Sequence, residues 1–285
     1  MPGFFKSLLP KRFRRESVII PVVRLQGAIM SGGSAFRPML NLAAVAPALE
    51  RAFSIKSAPA VAISINSPGG SPVQSRLIYK RIRDLAEEKK KRVLVFVEDV
   101  AASGGYMIAL AGDEIIADPT SIVGSIGVVS GGFGFPEMLK KIGVERRVYT
   151  SGENKVILDP FQPEKEGDIA YLHGLQRDIH ETFIAMVKAR RGNLLKDEPE
   201  LFSGLFWTGT RGRELGLVDG LGDMRGEVRR RYGDNAELKL ISSARGLFGR
   251  RQPGAEASLP ALASGAVAGL AELAEEKALW SRYGL

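Results

Sequence analysis

The run Val93-Leu94-Val95-Phe96-Val97 is apolar without a break, the pattern of a buried strand rather than of a half-solvated one. It leads into Ala101-Ala102-Ser103-Gly104-Gly105-Tyr106, a turn built of small residues. A strand that ends this way sets one hydroxyl among neighbours that cannot crowd it, which is how a chain exposes a serine nucleophile. With no cysteine and only two histidines in 285 residues, Ser103 has few of the usual partners to take its proton.

The segments around that strand set the fold class. Ser17 to Ile29 is rich in Val and Ile and predicts a strand ending near Gly27. Leu42, Val45, Leu49 and Phe53 have helical spacing, and Ala60 to Ile65 predicts a second strand, closed by Asn66-Ser-Pro-Gly-Gly70. A surface helix over 73–90, the strand over 92–98 and a helix starting with Tyr106 to Ala111 follow. Strands separated by helices of this length require right-handed crossovers and a largely parallel α/β sheet. Ile115–Ala117 and Arg147–Tyr149 are further short strand candidates, and Pro163 to Arg190 reads as a long amphipathic helix. Glu214-Leu215-Gly216 marks a helix stop, 223–232 a basic helix and 237–242 a last strand. This divides the chain into an arm over 1–16, a folded domain over 17–244 and an Ala/Gly-rich tail over 245–285, in which Ala261 to Trp280 has weak helical amphipathicity.

Composition narrows the function. A hydrophobic content of 45% with 25% charged residues describes a globular chain long enough for a full core. Without cysteine there is no disulfide framework or thiolate metal site. His173 and His180 are seven apart on one helix face, a spacing for packing rather than for a metal pair, so no metal site is expected. The net charge of +8 matters mainly for its placement. Lys6, Lys11, Arg12, Arg14 and Arg15 alternate with Phe4, Phe5, Leu8, Leu9 and Phe13, which suits residues 1–15 to an anionic membrane surface. No nucleic-acid reading module accompanies the charge. Segment 17–29 is too short to span a bilayer and holds Arg24, segment 257–271 is broken by Pro260, and no secretory signal is evident. The expectation is a cytoplasmic protein held peripherally on the inner membrane.

Two glycine loops, Ser67-Pro68-Gly69-Gly70 and Ser103-Gly104-Gly105, each follow a strand and so face one crevice at the carboxyl ends of parallel strands. Glycines let backbone N–H groups approach a ligand, and two such donors aimed at one point stabilise an acyl oxyanion. The phosphate-loop pattern Gly-x-x-x-x-Gly-Lys-Ser/Thr is absent. For the base, a lysine serves if burial keeps its amine neutral; moving it from about 10.4 to about 7–8 costs roughly 4 kcal/mol, so it needs a dry pocket. Spacing alone does not choose among the lysines.

The series Asn66-Ser-Pro-Gly-Gly70, Ala102-Ser-Gly-Gly-Tyr106, Gly124-Ser-Ile-Gly-Val128 and Ser151-Gly-Glu-Asn-Lys155 resembles the signal peptide peptidase A/protease IV family over about residues 18–243. The resemblance implies the superhelical α/β fold of the caseinolytic protease and crotonase superfamily, with ββα units and a largely parallel sheet. It implies a serine peptidase that cleaves signal-peptide remnants or membrane-associated proteins without a cofactor. It makes Ser103 the nucleophile, Lys155 the general base and Ser125 the residue that orients the lysine. The N–H groups of Gly69 or Gly70 and of Gly104 become the oxyanion hole. Family members commonly carry a membrane anchor, for which the basic arm is the substitute here. In the family the serine and lysine of one site can come from different copies, so a single unduplicated chain implies a homo-oligomer with sites at subunit interfaces. Two other readings remain at this point: an acyl-CoA enzyme of crotonase type using Glu98, Asp99 or Glu153, and a catalytically silent membrane-associated scaffold.

Overall fold

A computed structural model of the chain describes residues 17–32, 39–242 and 276–284. The basic arm, and the predicted amphipathic helix up to residue 275, lie outside the described residues. Strand β1 (Ile19–Gln26), helix α1 (Leu42–Ser54), β2 (Ala60–Ser67), α2 (Pro72–Lys89), β3 (Arg92–Ala102) and α3 (Gly104–Ala109) alternate as the apolar spacing predicts. β4 (Glu114–Ala117), β5 (Ile122–Gly124), α4 (Pro136–Lys141) and the 26-residue α5 (Glu166–Arg191) come next. β6 (Phe206–Thr208), α6 (Gly209–Glu214), β7 (Gly220–Leu221), α7 (Met224–Tyr232) and β8 (Glu237–Leu240) complete the described elements.

The main sheet runs β6-β5-β3-β2-β1-β8, with β4 on β3 and β7 on β4. All its pairings are parallel except β5 with β6. Parallel strands need crossovers and therefore covers on both faces. Alternate residues divide accordingly. Val23, Leu25, Ile63, Ile65, Val93 and Val95 pack with α1, α2, α3 and α5, where Leu49, Ile78, Ile82 and Phe183 meet them. Ile20, Val22, Ala62, Leu94 and Phe96 face the other way, onto Val228 of α7. Every residue of β2 is buried, the consequence of a strand in mid-sheet with two covered faces.

Three predictions need correction. The predicted strand Arg147–Tyr149 forms no strand: it lies in a solvent-facing stretch where Tyr149 is 90% exposed and no strand among the described residues pairs with it. β3 also runs on to Ala102, past the predicted end at residue 98, because Val100 to Ala102 pair with β5. Helix α3 then starts at Gly104, two residues ahead of prediction. No helix among the described residues is long and apolar enough to cross a membrane.

Candidate active site

Ser103 stands between β3 and α3 with φ 52° and ψ −120°. A side chain in this sparsely populated region costs about 1–3 kcal/mol and persists only where the surroundings impose it. Here they do. The Ser103 N–H donates to the Gly124 carbonyl at 2.8 Å, tying the turn to β5, and its carbonyl accepts from Met107 N–H at 3.0 Å to start α3. The elbow leaves Ser103 half-buried and lining a cavity.

The loop after β2 closes over this elbow. Ser71 caps α2, with Pro72 in its first turn, and its N–H donates to Ile29 O. Gly69 N–H donates to Ser67 Oγ at 3.2 Å, and Gly69 O accepts from Ile29 N–H at 2.8 Å. A β-carbon on Gly69 would fall 2.8 Å from Ser103 Cβ and 2.9 Å from Gly104 N; one on Gly104 would collide with Ser75 Oγ. The absence of side chains at these positions is what allows the two loops to interlock. Among the described residues, Gly70 N–H and Gly104 N–H donate to no group, whereas Gly69 N–H is engaged. Two unengaged amides beside one hydroxyl are the arrangement that binds an oxyanion.

Below the loops lies a cavity of about 570 Å³ lined by Ser103, Gly70 and Gly104 and by apolar side chains including Met30, Met107, Val128 and Phe183. Ser125 is buried behind it, at φ 53°, with its N–H on Leu205 O at 2.8 Å. His180 donates from Nε2 to Ile126 O at 2.9 Å and so braces the next residue, while His173 is exposed; both are helix-face residues, as their spacing predicts. The framework behind α3 is polar but closed. The fully buried Tyr106 donates to Leu217 O at 2.7 Å, and Arg191 donates to Gly216 O and to Asp219.

Lys155 is not brought to this cleft within one chain. It is exposed, in a turn where its N–H meets Gly152 O at 3.3 Å, and it does not line the cavity. The stretch that carries it leaves large apolar side chains in solvent, with Phe133 82% and Ile142 62% exposed. Arg146, whose guanidinium holds Asp159 at 2.9 Å and lies over the Phe161 ring, fixes the base of this stretch. The carboxylates considered for acyl-CoA chemistry are elsewhere: Glu98 pairs with Arg24 and Ser64, Asp99 accepts from Asn66, and Glu153 is exposed. None of the three lines the Ser103 cavity. Sequence reasoning missed Tyr283, whose hydroxyl reaches Ser125 Oγ across 158 positions; no local pattern signals such a contact.

Comparison with known proteins adds the following. Residues 85–239 match the sequence pattern of Peptidase family S49. The chain is 34% identical over 268 residues to slr0021 of Synechocystis sp., a protease by name, with 91% of this chain and 89% of that protein aligned. It is 66% identical over 290 residues to a Brucella abortus protein named Na(+)/H(+) antiporter NhaA, with 100% of this chain and 39% of that protein aligned. The chain thus spans about two fifths of the length of that relative. Among solved structures, a mutant of the 1510-N membrane-bound stomatin-specific protease aligns with a TM-score of 0.48 at 18% identity, covering 80% of this chain and 99% of its own.

Proposed function

The chain belongs to peptidase family S49, and from that premise we propose that it is a serine peptidase whose nucleophile is Ser103 and whose general base is Lys155 of a second copy. The observation that carries the reading is the strained elbow at Ser103, set beside the unengaged N–H groups of Gly70 and Gly104 over an apolar cavity. Ser103 Oγ attacks the carbonyl carbon of a peptide as the lysine amine takes its proton. The carbonyl oxygen, now negative, sits between the two amides, a stabilisation worth about 3–4 kcal/mol per donor in comparable sites. The protonated lysine then gives its proton to the leaving amine, and water, deprotonated by the same amine, releases the acyl group from Ser103.

Ser125 is the positioning residue for the incoming amine, being buried next to the cleft. The exposure of Lys155 in one chain, together with the apolar side chains around it, favours delivery from a neighbouring copy whose contact would also dry the amine. The lining of Met30, Met107, Val128 and Phe183 favours apolar side chains in the substrate. That a region like this chain makes up part of a protein named as an antiporter favours membrane-associated polypeptides as substrates.

The test is a fluorophosphonate probe followed by mass spectrometry. A single adduct on Ser103, lost in Ser103→Ala and slowed by roughly 10³-fold or more in Lys155→Ala, is expected. An unlabelled Ser103 in an intact, folded chain overturns the reading and leaves the scaffold alternative.

A further inference from the structure

The cleft over Ser103 already holds part of the chain. Residues 276–281 are helical, and within 276–284 Glu276, Leu279, Trp280 and Tyr283 are half-buried while Lys277, Ala278, Ser281, Arg282 and Gly284 are exposed. Spacings of three and four put the covered residues on one helix face. Leu279 and Arg282 line the same cavity as Ser103, Gly70 and Gly104. Tyr283 follows: its hydroxyl donates to Ser125 Oγ at 3.2 Å, with the Pro68 carbonyl a second acceptor 3.4 Å away, and its ring meets Phe206 edge-on with centroids 5.0 Å apart.

We propose that residues 276–284 form a self-inhibitory plug, filling the groove that an extended substrate needs and occupying the Ser125 hydroxyl that positions the base. The consequence for catalysis rests on the peptidase reading above; the occupancy of the groove does not. Tyr283 and an incoming lysine compete for the space in front of Ser125: the Tyr283 ring meets Phe206 edge-on while its hydroxyl reaches Ser125 and Pro68, so the approach to the Ser125 hydroxyl is taken up. The hold is slight, with four half-buried residues and one hydroxyl that reaches Ser125 and Pro68. Tethering compensates, since a segment on the same chain acts at an effective concentration on the order of millimolar. A plug of this kind restrains a lone copy and yields to a well-fitting peptide.

The test uses the full chain with Leu279→Glu and Tyr283→Ala together, and Tyr283→Phe alone as a milder variant that keeps the ring. Two measurements are made: amide hydrogen exchange at residues 68–71 and 124–126, and hydrolysis of a short apolar peptide. The double variant is expected to exchange there roughly 5-fold faster or more, and to gain about 5–10-fold in kcat/KM through a lower KM. Tyr283→Phe falls between, and a synthetic peptide of residues 276–284 added to the double variant inhibits it competitively. Exchange and kcat/KM equal to the parent in both variants overturn the proposal, as does faster exchange with no gain in kcat/KM. If exchange quickens while neither parent nor variant cleaves peptide or takes a fluorophosphonate, the occupancy stands and the peptidase reading, with the inhibition that rests on it, falls.

Discussion

Gly69 and Ser103 are so close that a β-carbon on the glycine would lie 2.8 Å from the serine's own β-carbon. The contact ties the loop that carries the Gly70 amide to the Ser103 turn. Gly69 also sits at φ 102°, where a side chain is strained regardless of space. Gly69→Ala must therefore push the two loops apart. We expect roughly 10²-fold slower labelling of Ser103 with a loss of about 1–3 kcal/mol in stability, read by probe kinetics and chemical denaturation. Unchanged labelling would mean that the loop does not hold the reactive geometry.

The support behind α3 carries a second prediction. Tyr106, three residues beyond Ser103, is wholly buried, and that burial pushes its phenol pKa up, so it remains a neutral donor to Leu217 O. Tyr106→Phe should cost about 1 kcal/mol. Arg191 is 6% exposed and binds Asp219 at 2.9 Å, so Arg191→Ala leaves the carboxylate without its cation and should cost about 3 kcal/mol. Urea denaturation midpoints separate the two, and an Arg191→Ala protein as stable as its parent would contradict the assignment.

The Lys155-bearing stretch should respond to acid in a defined direction. The hydrogen bond from Arg146, then that from Phe161 N–H, holds the Asp159 carboxyl below the usual aspartate range. A depressed folded value means that the contribution is complete above the unfolded pKa of about 3.9 and disappears as pH falls through the lower folded one. Carboxyl NMR of Asp159 should therefore titrate below about 3.9 and return toward that value in Arg146→Ala. A midpoint at the ordinary value in the parent protein would remove the clasp.

Substrate preference follows from the cavity lining. Peptides presenting Leu or Met to the Met30, Met107 and Phe183 wall should exceed otherwise identical peptides presenting Asp or Lys by about 10²-fold in kcat/KM, because an unpaired charge there is desolvated without compensation. Equal rates would show that the wall does not contact substrate.

How much of this was readable in the residues depends on range. β1, α1, β2, α2 and α5 follow from local apolar spacing and were found within a few positions. The elbow at Ser103 was legible because a continuous apolar run meets a small-residue turn, a local signal. β5 and β6, three residues each, are too short to carry a period and exist only through each other and β3. Arg147–Tyr149 has strand-like residue types, but a ladder needs a partner, and no strand among the described residues pairs with it. Of the two candidate oxyanion amides after β2, sequence could not separate Gly69 from Gly70; the difference comes from the Ser67 hydroxyl, whose rotation is a tertiary outcome.

The central claim, that Ser103 of one copy works with Lys155 of another, is tested most directly by mixing two inactive proteins. Ser103→Ala and Lys155→Ala should each hydrolyse peptide at least about 10³-fold slower than the parent. Combined under conditions that allow copies to exchange, they should regain a substantial fraction of the activity, since some pairs then bring an intact serine to an intact lysine. A mixture as silent as its components, or a Lys155→Ala protein active by itself, would contradict the account.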